Sequence, residues 1–152
     1  GHTVATLLQS SAVPFIAFDT DPARVATGRG AGQPVLYGDI SDLGLLTAAH
    51  AERASLIVLT IDHAGTALRA VTLLRDTYPG VPIIARSRDL EASARLLEAG
   101  ATQAYPETIE ASLRLGATAL QMVGAPADSV GLLIQGVRAR DYELVREGEQ
   151  GQ

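Results

Sequence analysis

The chain has no cysteine, no lysine and no asparagine in its 152 residues. Lacking cysteine, it can form no disulfide, no thiol nucleophile and no zinc–thiolate site, a composition compatible with a cytoplasmic setting. Lacking lysine, it cannot hold the Tyr-x-x-x-Lys pair with which a short-chain dehydrogenase moves protons, and each of its twelve basic side chains is an arginine. We read these missing residue types as the coding composition of the source rather than a functional signal. The arginines are scattered and the net charge is −5, so no basic stripe offers a nucleic acid the counterion exchange on which its binding depends. No apolar run approaches the roughly 18 residues that cross a bilayer, and no basic–apolar–small leader opens the chain, so the piece reads as soluble. His2, His50 and His63 lie far apart with no H-x-x-x-H spacing, and there is no G-x-S-x-G elbow. Neither a metal centre nor a serine nucleophile is visible, and His50 reads as solvated.

What is present is a rhythm. With 47% hydrophobic residues, a chain of this length buries roughly two-thirds of its unfolded surface in one core. Short apolar or β-branched runs alternate with helical segments, the pattern of a parallel sheet covered on both faces. The spacing predicts a helix over 2–11, a strand over 14–19, and a helix opening at Pro22, where the missing N–H costs nothing. A strand over 34–37 follows, then a short helix capped by Ser41 or Asp42. Leu56-Ile57-Val58-Leu59 reads as a central strand buried on both faces. A helix over 64–77, a strand over 81–85, the loop Arg86-Ser87-Arg88-Asp89, a helix over 90–99 stopped by Gly100, and a strand over 102–105 complete the alternation. Beyond Pro106 two helices are predicted, 108–123 and 127 to about 145; their apolar stripe needs a surface to pack on, and a partner subunit supplies one. Residues 147–152 have little to bury and read as frayed.

Gly1 and Asp19 give this rhythm a chemical direction. In a dinucleotide-binding βαβ unit the last glycine of G-x-G-x-x-G opens a helix, and an acid about 20 residues on ends the next strand and holds a ribose. The chain reads as starting inside that fingerprint, a Rossmann-like doubly wound α/β fold with its first strand truncated. A carboxylate at Asp19 accepts from both ribose hydroxyls and repels a 2′-phosphate, favouring NAD, NADH or AMP over NADP. The competing reading, that an acid here only caps the next helix, is preferred for Asp21. Gly38-Asp39 and Thr60-Ile61-Asp62 end the following two strands and converge on the same crevice. Gly38 admits close backbone approach and Ile61 covers a ring face; Asp39 either reaches the adenine amino group or is a helix N-cap following a turn glycine. The crevice set is Gly1, His2, Asp19, Thr20, Asp21, Arg24, Gly38, Asp39, Ile40, Thr60, Ile61 and Asp62. Arg86 and Arg88 are candidates for an anionic ligand, or form surface ion pairs beside Asp89.

Several stretches carry a resemblance: Phe18-Asp19-Thr20-Asp21-Pro22, Val35-Leu36-Tyr37-Gly38-Asp39, Ile83-Ile84-Ala85-Arg86-Ser87-Arg88-Asp89, and Pro106-Glu107 with the helix after it. From Gly1 to about Tyr142 the chain resembles the TrkA-N or RCK regulatory domain of potassium transport proteins, and within it the cytoplasmic domain of Kef-type potassium/proton antiporters. The resemblance implies a nucleotide-binding domain over 1–106, crossover and dimerisation helices over 107–146 and a tail over 147–152. It also implies AMP or NAD(H) in the crevice, a homodimer, and a transmembrane antiporter domain in the same parent protein at the cytoplasmic face of the membrane. In glutathione-gated members an arginine at the place of Arg86 assists glutathione or its adducts, together with an asparagine that this chain lacks. The other readings are an NAD-dependent oxidoreductase or epimerase unit, for whose substrate domain the chain has no room, and a structural dimerisation module.

Overall fold

The computed structural model describes residues 1–145, which divide into a unit Gly1–Pro106 and a second starting at Glu107. The tail expected over 147–152 lies outside the described residues. The first unit runs α1 (His2–Ser10), β1 (Ala17–Asp19), α2 (Pro22–Gly30), β2 (Val35–Tyr37), α3 (Leu43–Ala48), a 3-10 turn at Ala51–Arg53, β3 (Ile57–Leu59), α4 (Ala64–Thr77), β4 (Ile83–Ser87), α5 (Leu90–Glu98) and β5 (Gln103–Pro106). All pairings are parallel, so the carboxyl ends of paired strands share one edge.

The hydrogen-bonded sheet is in two pieces, β1–β2 and β3–β4–β5. The first pairs Ala17 with Val35 and Asp19 with Tyr37; the second pairs Leu59 with Ala85 and Ser87 with Pro106. This corrects the expectation of a central strand at 56–59: β3 bonds only β4, and Leu56 lies outside it, 45% exposed. In doubly wound order the first strand sits between the second and the fourth, and no described residue takes that place. Strand boundaries also differ, and β4 opens at Ile83 rather than at 81. β1 starts at Ala17, whose N–H donates to the Pro34 carbonyl at 3.0 Å, because Pro14 has no donor and Ile16 is exposed. β4 continues through Arg86 and Ser87, expected as loop, because pairing with Tyr105 and Pro106 extends it.

Local chemistry sets the helix ends. Asp21 caps α2 by accepting the Ala23 N–H at 2.8 Å, with Pro22 in the first turn; Asp42, rather than Ser41, caps α3 through Leu45 N–H. Asp89 caps α5 through Ala92 N–H, which engages the carboxylate expected to pair with an arginine. α4 is capped by His63, whose Nδ1 accepts from Thr66 N–H at 3.2 Å. Its buried face, Ala67, Ala70, Val71 and Leu74, repeats at i, i+3, i+4, i+7 and packs on Ile57, Leu59, Ile83 and Ala85 of β3 and β4. Each large apolar side chain enclosed there contributes about 1.5–3 kcal/mol.

The second unit is a helix pair, α6 (Glu107–Met122) and α7 (Ala127–Ala139). Glu110 of α6 accepts from Arg138 Nε at 3.0 Å and Nη2 at 2.6 Å, and from the Tyr142 hydroxyl at 2.6 Å. α7 is shorter than the expected span to about 145. Asp141 and Tyr142 adopt φ of 52° and 63°, which breaks the helix and turns the buried Tyr142 back onto Glu110.

Candidate functional site

The polar groups named from the sequence gather at the carboxyl ends of β1 to β4. Asp19 is the last residue of β1, and its backbone carbonyl accepts the Gly38 N–H at 3.0 Å, which carries the β1–β2 pairing past Tyr37. Gly1 stands at the N-terminus of α1, against the end of β3: a Cβ built on it would lie 3.0 Å from Thr60 Oγ1. No side chain caps α1 at Gly1, so no cap satisfies its first N–H groups. That is the arrangement helices use to bind anions.

Asp19 is the electrostatic centre of this edge. Its Oδ1 accepts the Asp21 N–H at 2.9 Å and Arg24 Nη2 at 3.0 Å, while Oδ2 accepts Arg24 Nε at 2.8 Å. The Arg24 fork, then the Asp21 N–H, hold the Asp19 carboxyl below the usual aspartate range, and burial opposes them. Asp19 in turn raises Arg24. Asp21 caps α2 and also approaches Arg24 Nη1 at 3.4 Å. Arg24 belongs to the crevice set expected from the sequence, and its pairing with Asp19 is new in the structure. Its signal was an arginine on the first helical turn, where a cation opposes the helix dipole and needs a carboxylate beside it.

The neighbouring strand ends are partly committed. Asp39 is exposed, and its Oδ1 accepts the Ser41 N–H at 2.9 Å, a bond that lowers its carboxyl; this local turn replaces the N-cap expected of it, because Asp42 caps α3. Ile40 and Ile61 are half-buried and pack on the core cluster, which anchors both loops. Thr20 and His2 are exposed beside the edge residues. Arg86, at the end of β4, donates to the Thr60 carbonyl at 2.7 Å and to the Asp62 carboxylate, tying the β3–α4 loop to β4. Arg88 is exposed on the turn before α5, and His50 is exposed with Nδ1 3.4 Å from Glu52. Among the described residues no three His, Asp or Glu side chains gather as metal ligands, and no helix is long and apolar enough to cross a membrane.

Two concavities of about 360 and 440 Å³ lie on the α6–α7 unit rather than at the sheet edge. The smaller is lined largely by Leu132, Leu133, Val137 and Leu144, and in the larger Glu110 and Arg138 are already bonded to each other. The sheet edge has convergent polar groups, together with an uncapped helix start, and is the better candidate.

Comparison with known proteins places the chain in a family. Residues 1–106 match the family model of the TrkA-N domain. The putative K(+) efflux antiporter KefB of Alkalimonas amylolytica is 39% identical over 151 residues, 99% of this chain and 23% of the relative. The chain therefore spans about a quarter of that relative's length. Among solved structures, the Shewanella denitrificans Kef CTD in AMP-bound form superposes with a TM-score of 0.75 at 30% identity, covering 94% of this chain and 89% of that one. A GsuK channel bound to NAD matches with a TM-score of 0.67 at 27% identity, over 76% of this chain and 20% of the channel chain.

Proposed function

Because this chain belongs to the TrkA-N domain family, we propose that it is the regulatory nucleotide-binding domain of a potassium efflux antiporter, with AMP or NAD(H) in the crevice at the carboxyl edge. One observation carries the reading: Asp19, ending β1, stands on the edge where Gly1 opens the uncapped α1 beside Thr60. The nucleotide's phosphate would rest on the α1 N–H groups, its ribose on the Asp19 carboxylate and its base toward Gly38 and Asp39. The AMP-bound Kef domain and the NAD-bound GsuK channel support this choice of ligands.

The parent would carry a transmembrane antiporter domain, with this domain on its cytoplasmic side, and two copies would pair through the helices after Pro106. Supporting the pairing, Leu115, Met122 and Leu132 are 74%, 82% and 70% exposed on α6 and α7. Ligand would bias one arrangement of the pair over another. A ten- to hundredfold difference in affinity between two arrangements supplies about 1.4–2.8 kcal/mol of coupling, enough to shift a balanced gate. No glutathione control is part of the proposal, since Arg86 is engaged with Asp62 and Thr60.

The test follows thermal unfolding of this chain while AMP, NAD, NADH and ATP are titrated. At least one should raise the midpoint, because a ligand that binds only the folded state stabilises it. Asp19→Ala should fold yet abolish most of that rise. No shift with any nucleotide would remove the reading, and hydride transfer to NAD from a small alcohol or sugar would replace it with an enzymatic one.

A further inference from the structure

We propose that Arg24 is a built-in competitor for the nucleotide's ribose, so that ligand binds by expelling the Arg24 guanidinium from the Asp19 carboxylate. The inference rests on the nucleotide reading and adds to it the step by which the site opens.

An aspartate carboxylate offers about four acceptor positions over its two oxygens. In the structure three are filled: Oδ1 by the Asp21 N–H and Arg24 Nη2, Oδ2 by Arg24 Nε. A ribose that grips the carboxylate with both hydroxyls brings two donors, one for each oxygen. The guanidinium brings the same pair: two donors side by side in a fixed fork. It therefore holds the positions the diol needs. Only one acceptor position is left, so the two-bond grip requires Arg24 to leave, and because the fork is rigid both of its bonds go together.

Arg24 is placed to leave. Its side chain is 64% exposed, against 28% for Asp19, so it moves into solvent without disturbing the core. It stands on the first turn of α2, where the helix dipole disfavours a cation. What holds it there is the carboxylate pair, Asp19 with a weaker approach to Asp21 at 3.4 Å. The Asp21 bond to Oδ1 is a backbone donor and stays when Arg24 goes, so Asp19 remains aimed at the crevice.

The experiment compares the unsubstituted chain with Arg24→Ala by calorimetric titration with adenosine, AMP and 2′-deoxyadenosine. Adenosine carries no phosphate, so its affinity reports the ribose exchange apart from any attraction between Arg24 and a charged ligand. An exposed ion pair is weak, so its removal should tighten adenosine and AMP by about two- to fivefold. The gain should shrink for 2′-deoxyadenosine, which keeps only the 3′-OH of the diol, a single donor that fits the one open position without expelling Arg24. In the unsubstituted chain, saturation with AMP should also shift the Arg24 Nε–H resonance to that of a solvated arginine. Unchanged or weaker adenosine binding in Arg24→Ala overturns the competitor role, as does an equal gain for the deoxy nucleoside. Failure of both chains to bind any of the three removes the AMP reading and this inference with it.

Discussion

Asp19 and Asp21 sit two residues apart and do different work because the backbone turns between them. Asp21 faces the start of α2 and satisfies the Ala23 N–H; Asp19 ends a strand and has its oxygens at the sheet edge. Small residues at this scale have equally particular reasons. Gly28 lies buried inside α2, and a Cβ there would stand 2.7 Å from Val35 Cγ2. Val35 is buried and β-branched, hence stiff. Gly28→Ala gains up to about 1 kcal/mol of helix propensity, but overpacking against so rigid a neighbour costs about 1–3 kcal/mol. Urea unfolding should show a net loss. Gly38→Ala meets the Cδ2 end of Leu45 at 2.3 Å; Leu45 is only half-buried and can swing, so this change should cost less than Gly28→Ala. An equal or reversed order would mean that Val35 yields more than its branching allows.

At the scale of elements, two side-chain clamps hold pieces that backbone pairing leaves separate. Arg75, near the end of α4, donates to the carbonyls of Gly100 at 2.8 Å, Pro79 at 2.9 Å and Val81 at 3.0 Å. It thereby joins α4 to the turn before β4 and the turn before β5. Arg75→Ala should lose about 2 kcal/mol in chemical unfolding, because hydrogen bonds from a charged donor are worth more than neutral ones. Arg75→Lys should recover less than half, since an ammonium cannot reproduce the fork. Glu110 is the second clamp, binding Arg138 and Tyr142 across the helix pair. The Arg138 fork, then the Tyr142 hydroxyl, lower the Glu110 carboxyl below the usual glutamate range. The stabilisation is thus complete above the unfolded glutamate value and fades as pH falls through the lower folded one. Glu110→Gln should cost about 1 kcal/mol at neutral pH, the scale of a partly exposed pair. The difference from the unsubstituted chain should vanish in strong acid; a cost independent of pH would mean that packing, not charge, holds the pair. Neither clamp was legible in the sequence: Arg75 read as one more helical position, and Glu110, Arg138 and Tyr142 are too far apart along the chain for any local pattern to join them.

For the molecule as a whole, legibility followed sequence distance. The alternation of strand and helix, Asp21 before Pro22 as a cap, and Gly100 as a stop are local signals, and the structure carries them. What the sequence did not disclose depends on pairing between distant segments: the division of the sheet, the extension of β4 through Ser87 against Pro106, and the Arg24 fork folded back onto Asp19. The end of α7 belongs to the same class, since it is set by Tyr142 reaching Glu110. The exposed apolar stripe after Pro106 was legible, and it leads to a statement about assembly. Leu115 and Met122 are seven residues apart, hence on one face of α6, and both are largely exposed. Side chains of that size left in water forgo roughly 1.5–3 kcal/mol each, which a second copy presenting the same face would restore twice over by symmetry. Sedimentation equilibrium should therefore give twice the 15.8 kDa chain mass. Met122→Glu places a carboxylate on that face at the end of α6, on a position whose 82% exposure makes it irrelevant to the fold of one chain. The mass should fall to a single chain with the helical circular dichroism unchanged. A persistent double mass would move the contact to another surface, and a single mass for the unsubstituted chain across a hundredfold range of concentration would leave the stripe without its partner copy.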